Sequence, residues 1–234
     1  MRDQDLRGTD QARGIPRPPL ESDWDQTTTL IDLPNPREVS VTSLDLRLAL
    51  EQRVSVRKYA EEPLTLGELS WLLWCTQGVK KITDRPATLR LVPSGGACHP
   101  FETYLLVNQV DNLAPGLYRF LATPHKLVEI SLDPSLTQQI VQVCWDQPFI
   151  AKNAVTFIWI FVPYRATWRY GHRGYRSGLI ELGHICQNLY LAAEAVSCGV
   201  CAIGAFNDEA MARFLDINQH EQIVLYMATV GKKL

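Results

Sequence analysis

The sequence lacks a hydrophobic run long enough to cross a bilayer. Its most apolar stretch, AVTFIWIFV at residues 154–162, has nine residues, whereas a transmembrane helix needs about 20. The first twenty residues are polar and lack the apolar core of a secretory signal peptide. We therefore expect a cytoplasmic protein with no membrane partner.

Neither sign of charge predominates, because 23 Lys and Arg residues nearly balance 25 Asp and Glu residues. A net charge of −2 gives no general attraction to nucleic acid, so we expect no nucleic-acid partner. The motifs G-x-G-x-x-G and G-x-x-x-x-G-K-S/T are also absent. Their absence excludes a Rossmann dinucleotide site and a P-loop.

Disulfide bonds are not expected, since the six cysteines occur in a chain without a secretory signal. Cys198 and Cys201 form a C-x-x-C pair, which is compatible with a redox pair, half of a zinc site or buried packing. A zinc site would have to recruit His184 and Cys186. The pair lies between an apolar helix and an apolar strand, so we favour packing and predict no metal site.

What the sequence does contain is a mixture of helical and strand patterns after a polar N-terminal segment. Residues 1–40 are rich in Pro, Asp and Arg and predict an extended arm, or disorder if nothing binds it. Residues 41–234 predict one α+β domain with about seven helices and six strands.

Capping signals predict where helices begin and end. Ser43 precedes a predicted helix at 44–53, and Thr65 and Glu68 have capping-box spacing before a helix that ends at Gly78. A polar loop is predicted at 163–178. An apolar helix, buried on nearly every side, follows and should end at Gly199.

The strands are expected at 102–110, 116–121, 126–130, 154–162, 200–206 and 222–231, with the second and third forming a hairpin.

Arg53, Ser55 and Arg57 alternate after the first predicted helix, so in extended backbone their side chains point the same way. Two guanidinium groups and a hydroxyl on one face would receive a phosphate or another delocalised anion. A solvated basic edge is the alternative.

The loop PSGGACHP at 93–100 contains two adjacent glycines, Gly95 and Gly96. Without a Cβ, its backbone can approach a flat or charged ligand closely, although a tight turn would use the same residues. Cys98 and His99 are compatible with a nucleophile and its base, with part of a metal site, or with loop residues that take no part in the chemistry. The sequence places no Asn or Asp to orient the histidine in a nucleophilic triad, and adjacent side chains tend to project apart.

Two further segments are compatible with either a functional or a purely structural role. The strand VCAIGAF ends at Gly204, where exposed N–H groups could meet a planar ring, or where glycine merely permits a bend. The segment RATWRYGHRGYRSG at 165–178 is cationic and aromatic. It could cover an active site, receive an acidic substrate or be solvated surface.

The order of these motifs resembles that of the flavin-dependent nitroreductase superfamily. The segments are RVSVRKY, PLTLGELSWLLWCTQG, PSGGACHPFE, GLYRF, RYGHRGYRSGLIELGHICQNLYLAA and IGAF, within residues 30–233. They are most similar to the SagB-type dehydrogenases, a branch that includes the azoline oxidases of thiazole- and oxazole-peptide biosynthesis. The resemblance implies a nitroreductase-like α+β fold with a central, mostly antiparallel sheet flanked by helices. It also implies an intertwined homodimer with FMN at the subunit interface.

The resemblance further implies which residues hold FMN. Arg53 and Ser55 match residues that contact its phosphate and ribityl chain, and Arg57 matches one near flavin N1 and O2. Two further segments complete the expected site. The loop at 93–96 matches one that reaches the flavin of the partner subunit, and residues 202–205 match a strand end beneath the ring, with the Gly204 amide near N5. The cofactor-binding residues expected are Arg53, Ser55, Arg57, Pro93, Ser94, Gly95, Gly96, Ala202, Ile203, Gly204, Ala205, Lys232 and Lys233.

One departure from the branch concerns the substrate side. Azoline oxidases carry a Lys-Tyr pair where this chain has Arg169 and Tyr170. Because arginine stays protonated, we expect Arg169 to anchor substrate and Tyr170 to donate or accept a proton. The resemblance implies hydride transfer through flavin N5, with NAD(P)H reducing a small organic acceptor. An azoline dehydrogenase in a peptide-modifying complex, or a non-catalytic flavin-binding partner protein, are the alternatives.

Overall fold

A computed structural model describes residues 8–234, and these contain nine strands and six α-helices. The strands are β1 (Leu30–Asp32), β2 (Val79–Ile82), β3 (Thr88–Arg90), β4 (Phe101–Val107), β5 (Gly116–Leu121), β6 (Lys126–Ser131), β7 (Val155–Phe161), β8 (Cys198–Ile203) and β9 (Ile223–Lys232). The helices are α1 (Leu46–Gln52), α2 (Leu66–Gln77), α3 (Leu136–Val143), α4 (Pro163–Tyr170), α5 (Arg173–Glu194) and α6 (Asp208–Phe214).

Seven strands form one sheet in the order β1-β6-β5-β4-β7-β9-β8, and each neighbouring pair is antiparallel. β2 and β3 form a separate hairpin. The predicted hairpin of β5 and β6 is confirmed. Every residue of β7 is buried, which explains why its sequence is continuously apolar rather than alternating. The expected α+β class with a central antiparallel sheet is therefore confirmed.

Helices cover both faces of the sheet. Phe157 and Trp159 point to one face, where they belong to the same core cluster as residues of α2 and α5. Ile158 and Ile160 point to the other, with residues of α3 and α6. Successive residues of a strand face opposite sides, so the central strands serve two cores at once.

One predicted helix N-terminus is confirmed and another is wrong. Thr65 and Glu68 form the predicted capping box, and Gly78 is the C-cap of α2. The prediction that Ser43 caps α1 is wrong, because Asp45 accepts hydrogen bonds from the backbone N–H groups of residues 47 and 48. Asp45 competes successfully because it immediately precedes the first helical residue.

The predicted polar loop at 163–178 is wrong, because this segment forms α4 and the first turns of α5. Pro163 starts α4 at a position that needs no N–H donor. Ala166 and Trp168 are buried, and Arg165 is buried with them in an ion pair, so the polar composition of the segment concealed a helix that packs inward.

The prediction for α5 needs two corrections. The helix ends at Glu194, and Gly199 lies inside β8, because residues 195–197 form the turn between them. It is also not buried on nearly every side, since Leu179 is 59% and Ile180 57% exposed.

The sequence analysis did not predict the short strands β1, β2 and β3, because three or four residues carry too little periodicity.

The described part of the N-terminal arm, residues 8–40, lies against the domain. The backbone N–H of Gln11 donates to the carbonyl of Trp168 at 2.9 Å, and that of Ser22 donates to the Glu102 carboxylate at 2.8 Å. β1 then adds an edge strand beside β6. The boundary expected at residue 40 stays a prediction.

Candidate active site

The segment with the alternating cations lies along the edge strand β8. Val56 donates its N–H to the carbonyl of Val200 at 2.8 Å, and Ser55 forms a parallel bridge with the same residue. The hydroxyl of Tyr190, on α5, lies 3.1 Å from Ser55 Oγ and accepts a hydrogen bond from the Ala202 N–H at 2.9 Å. Tyr190 thus joins the cationic segment to the strand end.

Arg53 and Arg57 present positive charge at this edge. The Arg53 guanidinium lies 5.2 Å from the centre of the Tyr190 ring, and Arg57 is exposed. Within residues 8–234, neither arginine has a carboxylate ion-pair partner. Two uncompensated guanidinium groups beside the exposed Ser55 suit an anionic ligand.

The end of β8 leaves backbone accessible next to these cations. Gly204 is exposed, and a Cβ there would meet only the Tyr226 ring, at 3.7 Å. Ala205 is also exposed, Ala202 is half-buried and Ile203 points into the core. A ligand can therefore approach the backbone of this strand end.

A second group of predicted residues lies in the glycine loop, residues 93–99. Gly96 has a φ of +60°, and a Cβ there would lie 2.4 Å from Arg169 Nε and 2.7 Å from the Tyr170 hydroxyl. Ser94 points inward, donating its hydroxyl to Glu181 of α5 at 2.5 Å. Pro93 and Gly95 are exposed, so the loop offers backbone rather than the Ser94 side chain to a ligand.

Cys98 and His99 are buried parts of this loop. Burial raises the pKa of the Cys98 thiol, which disfavours a thiolate nucleophile. Burial also lowers the pKa of His99, although Glu181, whose Oε1 lies 3.3 Å from His99 Nδ1, opposes that shift. His99 donates its backbone N–H to Ser94 Oγ at 2.9 Å. Both residues fit a structural role in shaping the loop.

Arg169 and Tyr170, at the end of α4, lie directly against the glycine loop. Arg169 Nε donates to the Tyr170 hydroxyl at 3.2 Å. A Cβ on Gly95 would lie 3.5 Å from the Tyr170 ring. The structure therefore brings the predicted substrate-side pair and the glycine loop together.

Lys232 and Lys233, at the end of β9, face carboxylates. Lys232 Nζ lies 2.5 Å from Glu68 and donates to the carbonyl of Val196 at 3.2 Å. Lys233 Nζ lies 2.5 Å from Glu194. Both positive charges are compensated within the chain, and their expected contact with a phosphate stays a prediction.

The two groups of predicted residues lie near opposite ends of α5. The glycine loop is next to Ser177, while the cationic edge is next to Tyr190. A rise of 1.5 Å per residue puts these positions roughly 20 Å apart along the helix. Within one chain, the structure does not bring the two groups together.

Residues that the sequence reasoning missed connect these groups to the scaffold. Tyr190 and Glu181 both lie on α5, and each is a polar residue on a face that otherwise packs in the core. That contrast is the signal that could have identified them. Arg17 and Arg85 were also missed, because nothing in the sequence indicates that they lie near Arg169.

No group of three His, Cys, Asp or Glu residues in 8–234 could hold a metal ion. No described helix is both long and apolar enough to cross a membrane. All six cysteines are free thiols, and Cys198 and Cys201 are buried, as the packing interpretation predicts.

Solved structures define the class of fold. An Anabaena variabilis structure described as a candidate nitroreductase aligns with a TM-score of 0.73 and 26% identity over 89% of this chain, which spans 42% of that longer chain. The Escherichia coli microcin synthetase McbBCD complex with bound truncated pro-microcin contains a chain that aligns with a TM-score of 0.65 and 19% identity, covering 92% of this chain and 78% of that one. The chain thus has a nitroreductase-like fold.

The family follows from the sequence comparison. The Nitroreductase family model matches residues 50–232, and the chain belongs to this family of oxidoreductases. MJ1384 of Methanocaldococcus jannaschii, whose name marks it as a candidate nitroreductase, is 35% identical over 88% of this chain and 98% of its own length. The microcin B17-processing protein McbC of Escherichia coli is 24% identical over 63% of this chain and 56% of its own. This relative agrees with the SagB-type branch that the motifs indicate.

Proposed function

We propose that the chain is an FMN-dependent oxidoreductase that works as a homodimer. Hydride would pass through flavin N5 in a ping-pong cycle, from NAD(P)H to a small organic acceptor. The observation that carries the proposal is the position of the two half-sites near opposite ends of α5. A structure of the same fold is the NADPH:FMN oxidoreductase of Vibrio harveyi complexed with NAD⁺.

A two-fold axis near the middle of α5 would join the half-sites. Ser177 and Tyr190 are equally distant in sequence from the region of Gly183 and His184, so an antiparallel α5 pair would set Ser177 of each chain opposite Tyr190 of its partner. Gly183 has no atom within 4 Å of its Cβ position, which leaves room for close helix approach.

The exposed apolar surface supports this arrangement. Leu179 and Ile180 lie on the uncovered face of α5, and α1, which contacts α5, exposes three leucines. Exposed apolar side chains on two neighbouring helices are typical of an interface. The leucines of α1 are Leu46 at 66%, Leu48 at 40% and Leu50 at 52% exposed.

The residues at both half-sites fit FMN. Among the described residues 8–234, Arg53 and Arg57 lack carboxylate partners, and they would bind the phosphate and the flavin N1–C2=O edge, respectively. Ser55 would bind the ribityl chain, the Gly204 N–H would face N5, and the partner's glycine loop would cover the ring. Bound FMN supplies the hydride-transfer chemistry, and the protein supplies position and charge. A fixed guanidinium at Arg57 would stabilise negative charge at N1–C2=O.

Arg169 and Tyr170 would act on the substrate. The Tyr170 hydroxyl accepts a hydrogen bond from Arg169, which leaves its own proton available for transfer to a substrate atom. Arg169 retains further N–H donors to hold an anionic substrate group.

Flavin binding tests the proposal directly. The purified protein should be yellow, should hold one FMN per chain and should bleach with NADH or NADPH. Arg57→Gln should weaken FMN binding by about tenfold, the expected loss of one charge-assisted contact. The matched control is Arg47→Gln, an exposed α1 arginine paired with Glu51, and it should bind FMN normally. A protein that neither retains FMN nor takes it up refutes the proposal.

An azoline dehydrogenase subunit of a peptide-modifying complex is the second candidate. Two relatives favour it. One is the microcin B17-processing protein McbC, and the other is the trifolitoxin-processing protein TfxB, which is 27% identical over 56% of this chain. This candidate predicts oxygen-dependent oxidation of a thiazoline peptide with little NAD(P)H turnover. A non-catalytic flavin-binding partner would bind FMN and turn over neither substrate.

A further inference from the structure

We propose that a pocket between the N-terminal arm, the β2–β3 hairpin and α4 binds the carboxylate of an organic acid. The pocket has a volume of about 510 Å³ and is lined by three arginines, Arg17, Arg85 and Arg169. The inference rests on the proposed function, because it assigns a substrate class to the same active site.

The three guanidinium groups come from three separate parts of the chain. Arg17 belongs to the arm, Arg85 to the hairpin turn and Arg169 to α4. Within residues 8–234, none of them has a carboxylate ion-pair partner. Burial lowers the pKa of Arg17, and the charges of Arg169 and Arg85 lower it further. Three like charges repel one another, so an anion bound among them would relieve the repulsion.

The arm is fastened in the position that brings Arg17 into the pocket. Trp168 donates its indole N–H to the carbonyl of Ile15 at 2.9 Å, and the Gln11 N–H donates to the Trp168 carbonyl at 2.9 Å. Arg17 itself donates to the carbonyl of Ala97 in the glycine loop. A residue fixed in this way loses little conformational freedom when it binds a ligand.

Most of the remaining lining residues are apolar, Gln11 and Thr83 being polar, and this lining favours an organic acid over a free inorganic anion. Their side chains would contact the carbon skeleton of the ligand, while planar guanidinium groups match the two oxygens of a carboxylate. The apolar lining residues are Pro16, Pro86, Ala87, Leu89, Ala97 and Trp168.

The pocket continues into the glycine loop. Gly96 and Arg169 line it, and both also belong to the candidate active site. An acid held by Arg17 and Arg85 would therefore lie beside Tyr170 and the surface at which we propose that FMN binds. Arg17 and Arg85 would act as specificity residues for an acidic substrate.

A binding measurement that does not depend on turnover tests this inference. The probes are 4-fluorobenzoate and its neutral analogue 4-fluorobenzamide, titrated by ¹⁹F NMR into the full-length protein as purified and after addition of FMN. We expect the carboxylate to bind about tenfold more tightly than the amide. Arg85→Gln and Arg17→Gln should each abolish most of that preference.

The control variant is Arg213→Gln, an exposed arginine on α6, which should keep the preference. Arg85 is exposed, so its substitution does not threaten folding. Equal binding of the two probes, or an unchanged preference in Arg85→Gln, would overturn the inference. So would binding of inorganic phosphate without binding of 4-fluorobenzoate. A protein that prefers 4-fluorobenzoate but binds no FMN would support this pocket and refute the proposed flavin function.

Discussion

Ser94 donates its hydroxyl to the buried carboxylate of Glu181 over 2.5 Å. The bond ties the glycine loop to the N-terminal half of α5, and the same hydroxyl accepts the N–H of His99. The side chain of Ser94 is therefore committed inside the protein. Any role of this loop in cofactor binding must come from its backbone.

Ser94→Ala should consequently act on stability first. A hydrogen bond to a charged group contributes about 1.5–3 kcal/mol, so we expect the free energy of unfolding to fall by about that amount. Chemical denaturation measures the change. Ser177→Ala is the control, since its hydroxyl donates to the carbonyl of Arg173 within α5 rather than to a charged group. An unchanged unfolding free energy in Ser94→Ala would contradict the prediction.

Gly96→Ala should disturb the loop, whereas Gly95→Ala should not. Gly96 has a φ of +60°, and an added Cβ would displace Arg169 and Tyr170. The left-handed conformation alone costs an alanine about 1–2 kcal/mol. At Gly95 a Cβ makes an ordinary contact of 3.5 Å with the Tyr170 ring. Fluorescence titration should show FMN affinity reduced by about tenfold in Gly96→Ala.

Only a larger side chain at Gly95 should interfere, so Gly95→Val is expected to reduce FMN binding while Gly95→Ala leaves it near the parental value. Equal FMN affinity in Gly96→Ala and the parent protein would mean that the loop does not form the cofactor surface.

The double variant Leu179→Glu/Ile180→Glu should be monomeric. Both residues are more than half exposed on α5, and carboxylates there would repel across a two-fold interface. Light scattering after size-exclusion chromatography measures the mass, and FMN binding should fall with it. Leu132→Glu is the control, because Leu132 is 44% exposed but lies outside α5 and α1. A monomeric parent protein, or a dimeric double variant, would exclude this interface.

Glu102 should make stability depend on acid pH. Burial raises the pKa of its carboxyl, but the charges of Arg165 and Arg119 and the hydrogen bonds from Ser22 and Arg165 together outweigh it, so the net pKa lies below the ordinary 4.5. The stabilisation is therefore present above about pH 4.5 and is lost as the pH falls through the lowered pKa of the folded state.

Glu102→Gln should be less stable at pH 7 by about 3–5 kcal/mol, because it leaves two buried arginines without their shared carboxylate. Its melting temperature should also vary less with pH between 5 and 3 than that of the parent protein. A parallel pH dependence in the two proteins would show that another group is responsible.

The cysteines should be unreactive in the folded protein. Burial raises the pKa of Cys144, Cys186 and Cys198 to about 12, and that of Cys98 as well. Titration with a disulfide reagent at pH 8 should detect thiols slowly in native protein and all six after denaturation. Cys98→Ala should leave oxidoreductase activity largely intact. Loss of turnover in Cys98→Ala with FMN still bound would restore a catalytic role for this thiol.

The sequence by itself determined the class and much of the local structure. Local sequence patterns predict three features: the apolar strand β7, the capping box of α2 and the hairpin of β5 and β6. Each depends on interactions between residues close together in the chain. The order of the motifs likewise indicated the family. The amphipathic α4 was misread because its polar composition concealed which side packs inward.

Only the tertiary structure decided how distant residues combine. It placed Ser55 beside Tyr190, and the glycine loop beside Tyr170, near opposite ends of one helix. It also brought Arg17 and Arg85 toward Arg169, although 68 positions separate Arg17 from Arg85 and 84 separate Arg85 from Arg169. Such contacts depend on how helices and strands pack, and no local pattern of residues encodes them.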